Sequence, residues 1–65
     1  MAHVIHVAEA IDGSEVALLE SSDGQFMLTE YDANGILVEM SSIPDCWCPA
    51  TARGIANRIA EGGAA

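Results

Sequence analysis

Three glycine-containing turn sequences divide residues 3–41 into four short segments. The turns are IDGSE at 11–15, SSDGQ at 21–25 and DANGI at 32–36. Within the segments, apolar and polar residues alternate, as in strands with one buried face. The segments cover about 3–10, 15–21, 25–31 and 36–41. Because such short loops join neighbouring antiparallel strands, the sequence predicts a four-stranded β-meander.

The lengths of the loops determine which side chains share a face. Asp12-Gly13 suits a two-residue type I′ turn, whereas SDG and ANG each suit a three-residue loop that ends on a left-handed glycine. With these lengths one face is apolar, and it contains Ile5, Val7, Val16, Leu18, Phe26, Leu28, Ile36, Val38 and Met40. The other face is mixed, and it contains His6, Ala8, Glu15, Ala17, Leu19, Gln25, Met27, Thr29, Tyr31, Leu37 and Glu39.

A single helix is predicted over about 49–61, after the connector SSIPDCWCP. Pro49 suits the first helical position, and an apolar stripe follows at helical spacing. The stripe consists of Ala52, Ile55, Ala56, Ile59 and Ala60. We expect it to cover the apolar sheet face, with Trp47 or Ile43 closing one end and 62–65 forming a frayed tail. The predicted fold is therefore α+β, in a single compact domain over 1–65.

The charge balance restricts the class of partner. The chain carries ten acidic residues and two bases, Arg53 and Arg58, for a net charge of −8. Direct binding to nucleic acid or to anionic lipid requires clustered Lys and Arg, which this chain lacks. A basic protein surface is the expected partner. The N-terminal residues do not resemble a signal peptide and no apolar run is long enough to cross a bilayer, so we expect a cytoplasmic protein.

No motif predicts a catalytic residue, a metal site or a cofactor. Cys46 and Cys48 are separated by one residue, whereas zinc sites commonly space their cysteine pairs by two to four. His3 and His6 would point to opposite faces of a strand. Cys48 directly precedes the helix, where the helix dipole favours a thiolate. A Cys-based metal or redox protein therefore stays open as an alternative, but an enzyme is not expected.

The acidic side chains are the remaining candidates for function. They serve either as a solubilising coat or as an imitation of DNA, which carries one negative charge per roughly 1.7 Å of axis. Asp12 and Asp32 should lie at the same end of the sheet, and Glu15 and Glu39 should flank apolar residues. The predicted partner-binding residues are Asp12, Glu15, Glu30, Tyr31, Asp32 and Glu39.

A short, acidic chain with a meander-plus-helix pattern and no catalytic motif resembles the small phage-encoded anti-CRISPR proteins. Within that class, it looks most like inhibitors of type I-C surveillance complexes. The resemblance implies an inhibitor that mimics DNA in the bacterial cytosol. It would block recognition of the protospacer-adjacent motif by the large subunit of the complex. The other alternative is a small structural module, a homodimer that buries Leu19, Met27, Tyr31 and Leu37 between two sheets.

Overall fold

The structure is a computed structural model that describes residues 2–44 and 46–62. The elements are β1 (His3–Glu9), β2 (Glu15–Glu20), β3 (Phe26–Tyr31), β4 (Leu37–Ile43) and α1 (Pro49–Gly62). The four strands form one sheet in the order β1-β2-β3-β4, and every neighbouring pair is antiparallel. The predicted α+β meander with one C-terminal helix is confirmed.

The element boundaries differ from the prediction by one or two residues. The first three strands are each one residue shorter than predicted, and β4 is displaced towards the C-terminus. The helix includes Gly62, which the prediction assigned to a frayed tail. The rest of that predicted tail, residues 63–65, lies outside the described residues.

All three turns share one backbone conformation. In the first turn, the backbone N–H of Ala10 donates to the carbonyl of Ser14, and the carbonyl of Ala10 accepts from the N–H of Gly13. The same two hydrogen bonds start from Ser21 in the second turn and from Asp32 in the third. Gly13, Gly24 and Gly35 all have positive φ, between 81° and 92°. These are three-residue loops with a left-handed glycine at the last position. The prediction was right for the second and third turns and wrong for Asp12-Gly13, which is not a two-residue turn.

The longer first loop reverses the faces of β1, because a one-residue change of register moves every side chain to the other side of a strand. His6 pairs with Leu18 and Ala8 with Val16, so His6 and Ala8 face the helix. Val7 is exposed, which contradicts its predicted place in the core. A bulge between Val4 and His6 gives Ile5 an irregular position, from which it still packs against the core.

An irregularity in β4 has a similar effect. The register shifts between Tyr31, which pairs with Leu37, and Glu30, which pairs with Glu39. Met40 pairs with Thr29 on the face away from the helix. Three residues predicted to be buried are exposed, namely Ile36, Val38 and Met40. The shift explains Met40, whereas Ile36 precedes β4, and β4 as a whole is exposed because the helix packs mainly on β1 and β2.

Helix α1 packs mainly across β1 and β2. Ala52, Ala56 and Ala60 are buried against Leu18 and Phe26 of the sheet, because small side chains allow a helix to lie close to its neighbour. Ile55 and Ile59 pack at the margins of this core, so the predicted apolar stripe is confirmed. Ile43 closes one end as predicted. Trp47 does not, since 71% of its surface is exposed.

Candidate partner-binding site

The turns β1–β2 and β3–β4 lie side by side at one end of the sheet. A Cβ atom added at Gly13 would be 3.4 Å from the Cβ of Ala33 in the other turn. The two turns are therefore adjacent, and Asp12 and Asp32 lie at the same end, as the sequence predicted. We call this end, with the strand residues next to it, the acidic end; its carboxylates belong to Glu9, Asp12, Glu15, Glu30, Asp32 and Glu39.

The acidic end contains two pairs of glutamates that are direct cross-strand partners. Glu9 pairs with Glu15, in a row that continues to Tyr31 and Leu37. Glu30 pairs with Glu39 in the adjacent row, which also contains the buried Val16. Side chains of direct partners share a face, and the faces of successive rows alternate. Glu15 and Glu39 therefore lie on opposite faces of the sheet, which corrects the prediction that both flank Tyr31 on the same face.

The pairing of Glu30 with Glu39 has an electrostatic cost. The pKa of Glu30 is raised above its ordinary value of 4.5, first by partial burial, then by its hydrogen bond with Glu39, and also by the charge of that neighbour. Like charges directly opposite each other in a sheet are destabilising. The fold thus concentrates negative charge here at the expense of its own stability.

The turn aspartates have a local structural role that the sequence analysis did not identify. Asp12 Oδ1 accepts hydrogen bonds from the backbone N–H and the hydroxyl of Ser14, at 2.9 and 2.6 Å. Asp32 Oδ1 accepts from the backbone N–H groups of Asn34 and Ile36, at 2.9 and 3.0 Å. Aspartate side chains in turns commonly accept a hydrogen bond from the backbone N–H two residues later. An aspartate within a glycine-containing turn is therefore the sequence signal for this role. These carboxylates are therefore held rigidly while remaining at the surface.

The third turn, at the opposite end of the sheet, is built in the same way. The hydroxyl of Ser21 donates to Asp23, and the backbone N–H of Gln25 lies 3.4 Å from the same carboxylate oxygen. These hydrogen bonds lower the pKa of Asp23, the Ser21 hydroxyl having the largest effect, just as those of Ser14 lower the pKa of Asp12. Acid at every turn thus has a structural explanation, whereas the paired glutamates do not.

Tyr31 lies between two shallow depressions at the acidic end. One has a volume of about 440 Å³ and is lined by Glu15, Tyr31 and Asp32 together with both turns. The other, of about 190 Å³, is lined by Glu30 and Val38 and reaches Ile59 of the helix. An aromatic ring bordered by carboxylates suits a protein partner that presents apolar groups beside basic ones.

Basic side chains are few, and none belongs to the turns of this end or to the strand residues next to them. Arg53 and Arg58 are exposed on α1. His3 lies 4.0 Å from Glu20 near the opposite end, and His6 Nε2 is 2.8 Å from Asn57 Oδ1 of the helix. In the described part of the chain, the two acidic-end turns and their flanking strand residues include no Lys, Arg or His. Over the described residues, neither arginine forms an ion pair within 4.0 Å of an acidic-end carboxylate.

The two cysteines lie at the start of α1 and differ in accessibility. Cys46 is buried and Cys48 is exposed. The Sγ of Cys46 lies 3.8 Å from the carbonyl oxygen of Cys48. The pKa of Cys48 is lowered, chiefly by hydrogen bonds from the backbone N–H and then the hydroxyl of Thr51. Across residues 2–44 and 46–62, no three His, Cys, Asp or Glu side chains are grouped as metal ligands. This region therefore contains one accessible thiol with a lowered pKa beside a buried one.

Comparisons with known proteins give no family assignment: no protein-family model, curated protein or solved structure matches the chain. Over the described residues, no helix has the length and apolar character that a bilayer crossing needs.

Proposed function

We propose that this protein is a non-catalytic inhibitor that imitates DNA and occupies the basic DNA-binding groove of a protein complex. The complex most consistent with the resemblance noted above is a type I CRISPR surveillance complex in the bacterial cytosol. The proposed contact residues are Asp12, Glu15, Glu30, Tyr31, Asp32 and Glu39. The observation that carries the proposal is the facing pair Glu30 and Glu39, whose repulsion opposes folding.

A solubilising coat does not account for that arrangement. Net charge improves solubility wherever the charges are placed, and dispersed carboxylates would provide it without direct repulsion. Here two glutamate pairs face each other across neighbouring strands, while both arginines lie on the helix. Violations of local stability rules are expected at functional sites.

The spacing of the carboxylates supports imitation of DNA. Four strands about 4.8 Å apart place the six acidic-end carboxylates within roughly 14 Å. Duplex DNA carries about eight charges over the same length of axis. Because the two charge densities are similar, a groove lined with Lys and Arg can bind either this protein or DNA.

The mechanism follows from this charge distribution. The uncompensated negative field attracts a positively charged groove and increases the rate of encounter. Rigid turns and paired strands hold the carboxylates in place, so little conformational entropy is lost on binding. Once bound, the protein excludes DNA from the groove, and no chemical step is required.

A mixing experiment tests this proposal. A purified type I-C surveillance complex is incubated with the protein and analysed by size-exclusion chromatography, and its binding to target DNA is then measured by gel shift. We expect co-elution and loss of the DNA shift. Co-elution should disappear at about 0.5 M salt, where the screening length is well below 10 Å. Co-elution with DNA still bound would contradict mimicry, and no co-elution at low salt would contradict the proposed partner.

A further inference from the structure

The face of the sheet opposite the helix is an uncovered apolar surface. Its apolar side chains, exposed on β1 and β4 and half-buried on β2 and β3, form what we call the open-face patch. The patch consists of Val4, Val7, Leu19, Met27, Leu37 and Met40. Four of these are roughly half exposed, namely Val4, Val7, Leu37 and Met40. The row of Glu9, Glu15 and Tyr31 borders this patch, so it is continuous with the acidic end.

A buried polar atom lies at the centre of this face. Thr29 is only 5% exposed and sits between its cross-strand partners Ala17 and Met40. Within the described residues its hydroxyl oxygen has no hydrogen-bond partner. Buried hydroxyls normally have one, and leaving one unpaired costs about 1–3 kcal/mol.

We infer that the open-face patch is the apolar part of the interface proposed above, and that it docks on an apolar protein surface bordered by Lys and Arg side chains. This inference rests on the proposed function. Charge complementarity selects the occupant, because Glu9 and Glu15 on the border of the patch require basic groups from the partner. A partner that contacts both the acidic end and this patch gains an apolar interface centre with a charged rim, which is the usual arrangement.

A second copy of the chain is a poor occupant by comparison. Four strands about 4.8 Å apart and about 20 Å long give a face of roughly 400 Å². Two such faces total about 800 Å² of projected area, which is at the small end of the size range of stable interfaces. Each copy also carries a net charge of −8, and a symmetric dimer would bring like charges together.

The two parts of the interface should control different rates. Exposed carboxylates act at long range and mainly change the association rate and its salt dependence. Apolar contacts act only after docking, and therefore mainly change the dissociation rate. This difference allows the patch to be tested separately from the charges.

The experiment measures binding kinetics on the immobilised surveillance complex. Met40→Ser and Leu37→Ser each remove one exposed side chain from the patch. Trp47→Ser is the matched control, since it removes a larger exposed side chain near the start of the helix. We expect roughly tenfold faster dissociation for each patch variant, an unchanged salt dependence, and wild-type kinetics for the control. Thermal denaturation verifies that the variants are folded.

The remaining outcomes separate this inference from the proposed function. If the wild type binds and blocks DNA but both patch variants dissociate at the wild-type rate, the inference is overturned and the proposed function stands. If the wild type does not bind, both fail. A solution mass of twice 6.8 kDa that Met40→Ser reduces to the monomer would assign the patch to a second copy and overturn the inference.

Discussion

Single residues set the geometry of the turns. Gly24 has a φ of +86°, and a Cβ atom added there would meet nothing within 4 Å. Gly54 lies in the helix, where an added Cβ atom would also be in open space. The two glycines therefore differ in backbone conformation and not in crowding.

Alanine substitution at these two glycines should have opposite effects. Gly24→Ala should lower the free energy of unfolding by about 1–2 kcal/mol, because an L-residue is strained at positive φ. Gly54→Ala should raise it by about 1 kcal/mol, because alanine has the higher helix propensity. Urea denaturation measures both, and equal effects would contradict the turn geometry.

The facing glutamates also act at the scale of single residues. Since the pKa of Glu30 is raised in the folded state, the native protein binds more protons at this site than the unfolded chain. Stability therefore falls as pH rises from about 4.5 through the folded pKa. Asp12 and Asp23 act in the opposite sense, because their pKa values are lowered. Their contribution to stability is present above pH 3.8, the ordinary pKa of aspartate, and is lost as the pH falls through their lower folded-state pKa values.

Glu39→Gln should stabilise the protein at pH 7 and weaken its inhibition. Removal of the facing charge should increase the free energy of unfolding by about 0.5 kcal/mol. We also expect the wild type to gain melting temperature when the pH is lowered from 7 to 5, and this gain should be smaller in the variant. Thermal melts at both pH values provide the measurement. A variant less stable than the wild type at pH 7 would show that the pair is not repulsive.

At the scale of elements, the pattern of apolar residues and turns predicted the order and type of the strands and the helix, and their boundaries to within one or two residues. It did not predict which face each strand presents. For β1 the error came from one loop residue, since Asp12-Gly13 fits a two-residue turn and a three-residue loop equally well. For β4 it came from the bulge beside Leu37, which moved Glu39 to the helix side. Bulges are set by tertiary pairing and leave little trace in a single sequence.

The contact between helix and sheet depends on small side chains. Ala56 is completely buried, whereas Ala50 in the first turn of the helix is exposed. Ala56→Leu should destabilise the protein by about 1–3 kcal/mol, because the added atoms force the helix away from β2. Ala50→Leu should change stability by less than about 0.5 kcal/mol. Denaturant melts distinguish the two variants, and similar values would contradict the close packing of the helix.

For the whole molecule, the sequence predicted a surface dominated by acid and the location of Asp12 and Asp32 at the same end. It did not predict that the carboxylates would face each other in pairs, because that depends on two registers, β1 with β2 and β3 with β4. The central claim is that the position of these charges matters more than their number. It can be tested with two double variants of equal net charge.

The most direct measurement is the concentration of protein that half-inhibits binding of target DNA to the surveillance complex. Glu15→Gln with Glu39→Gln neutralises two carboxylates of the acidic end. Glu20→Gln with Asp23→Asn neutralises two at the opposite end and leaves an acceptor oxygen in the turn. We predict about tenfold weaker inhibition for the first variant and near wild-type inhibition for the second. Equal inhibition by the two variants would contradict the account.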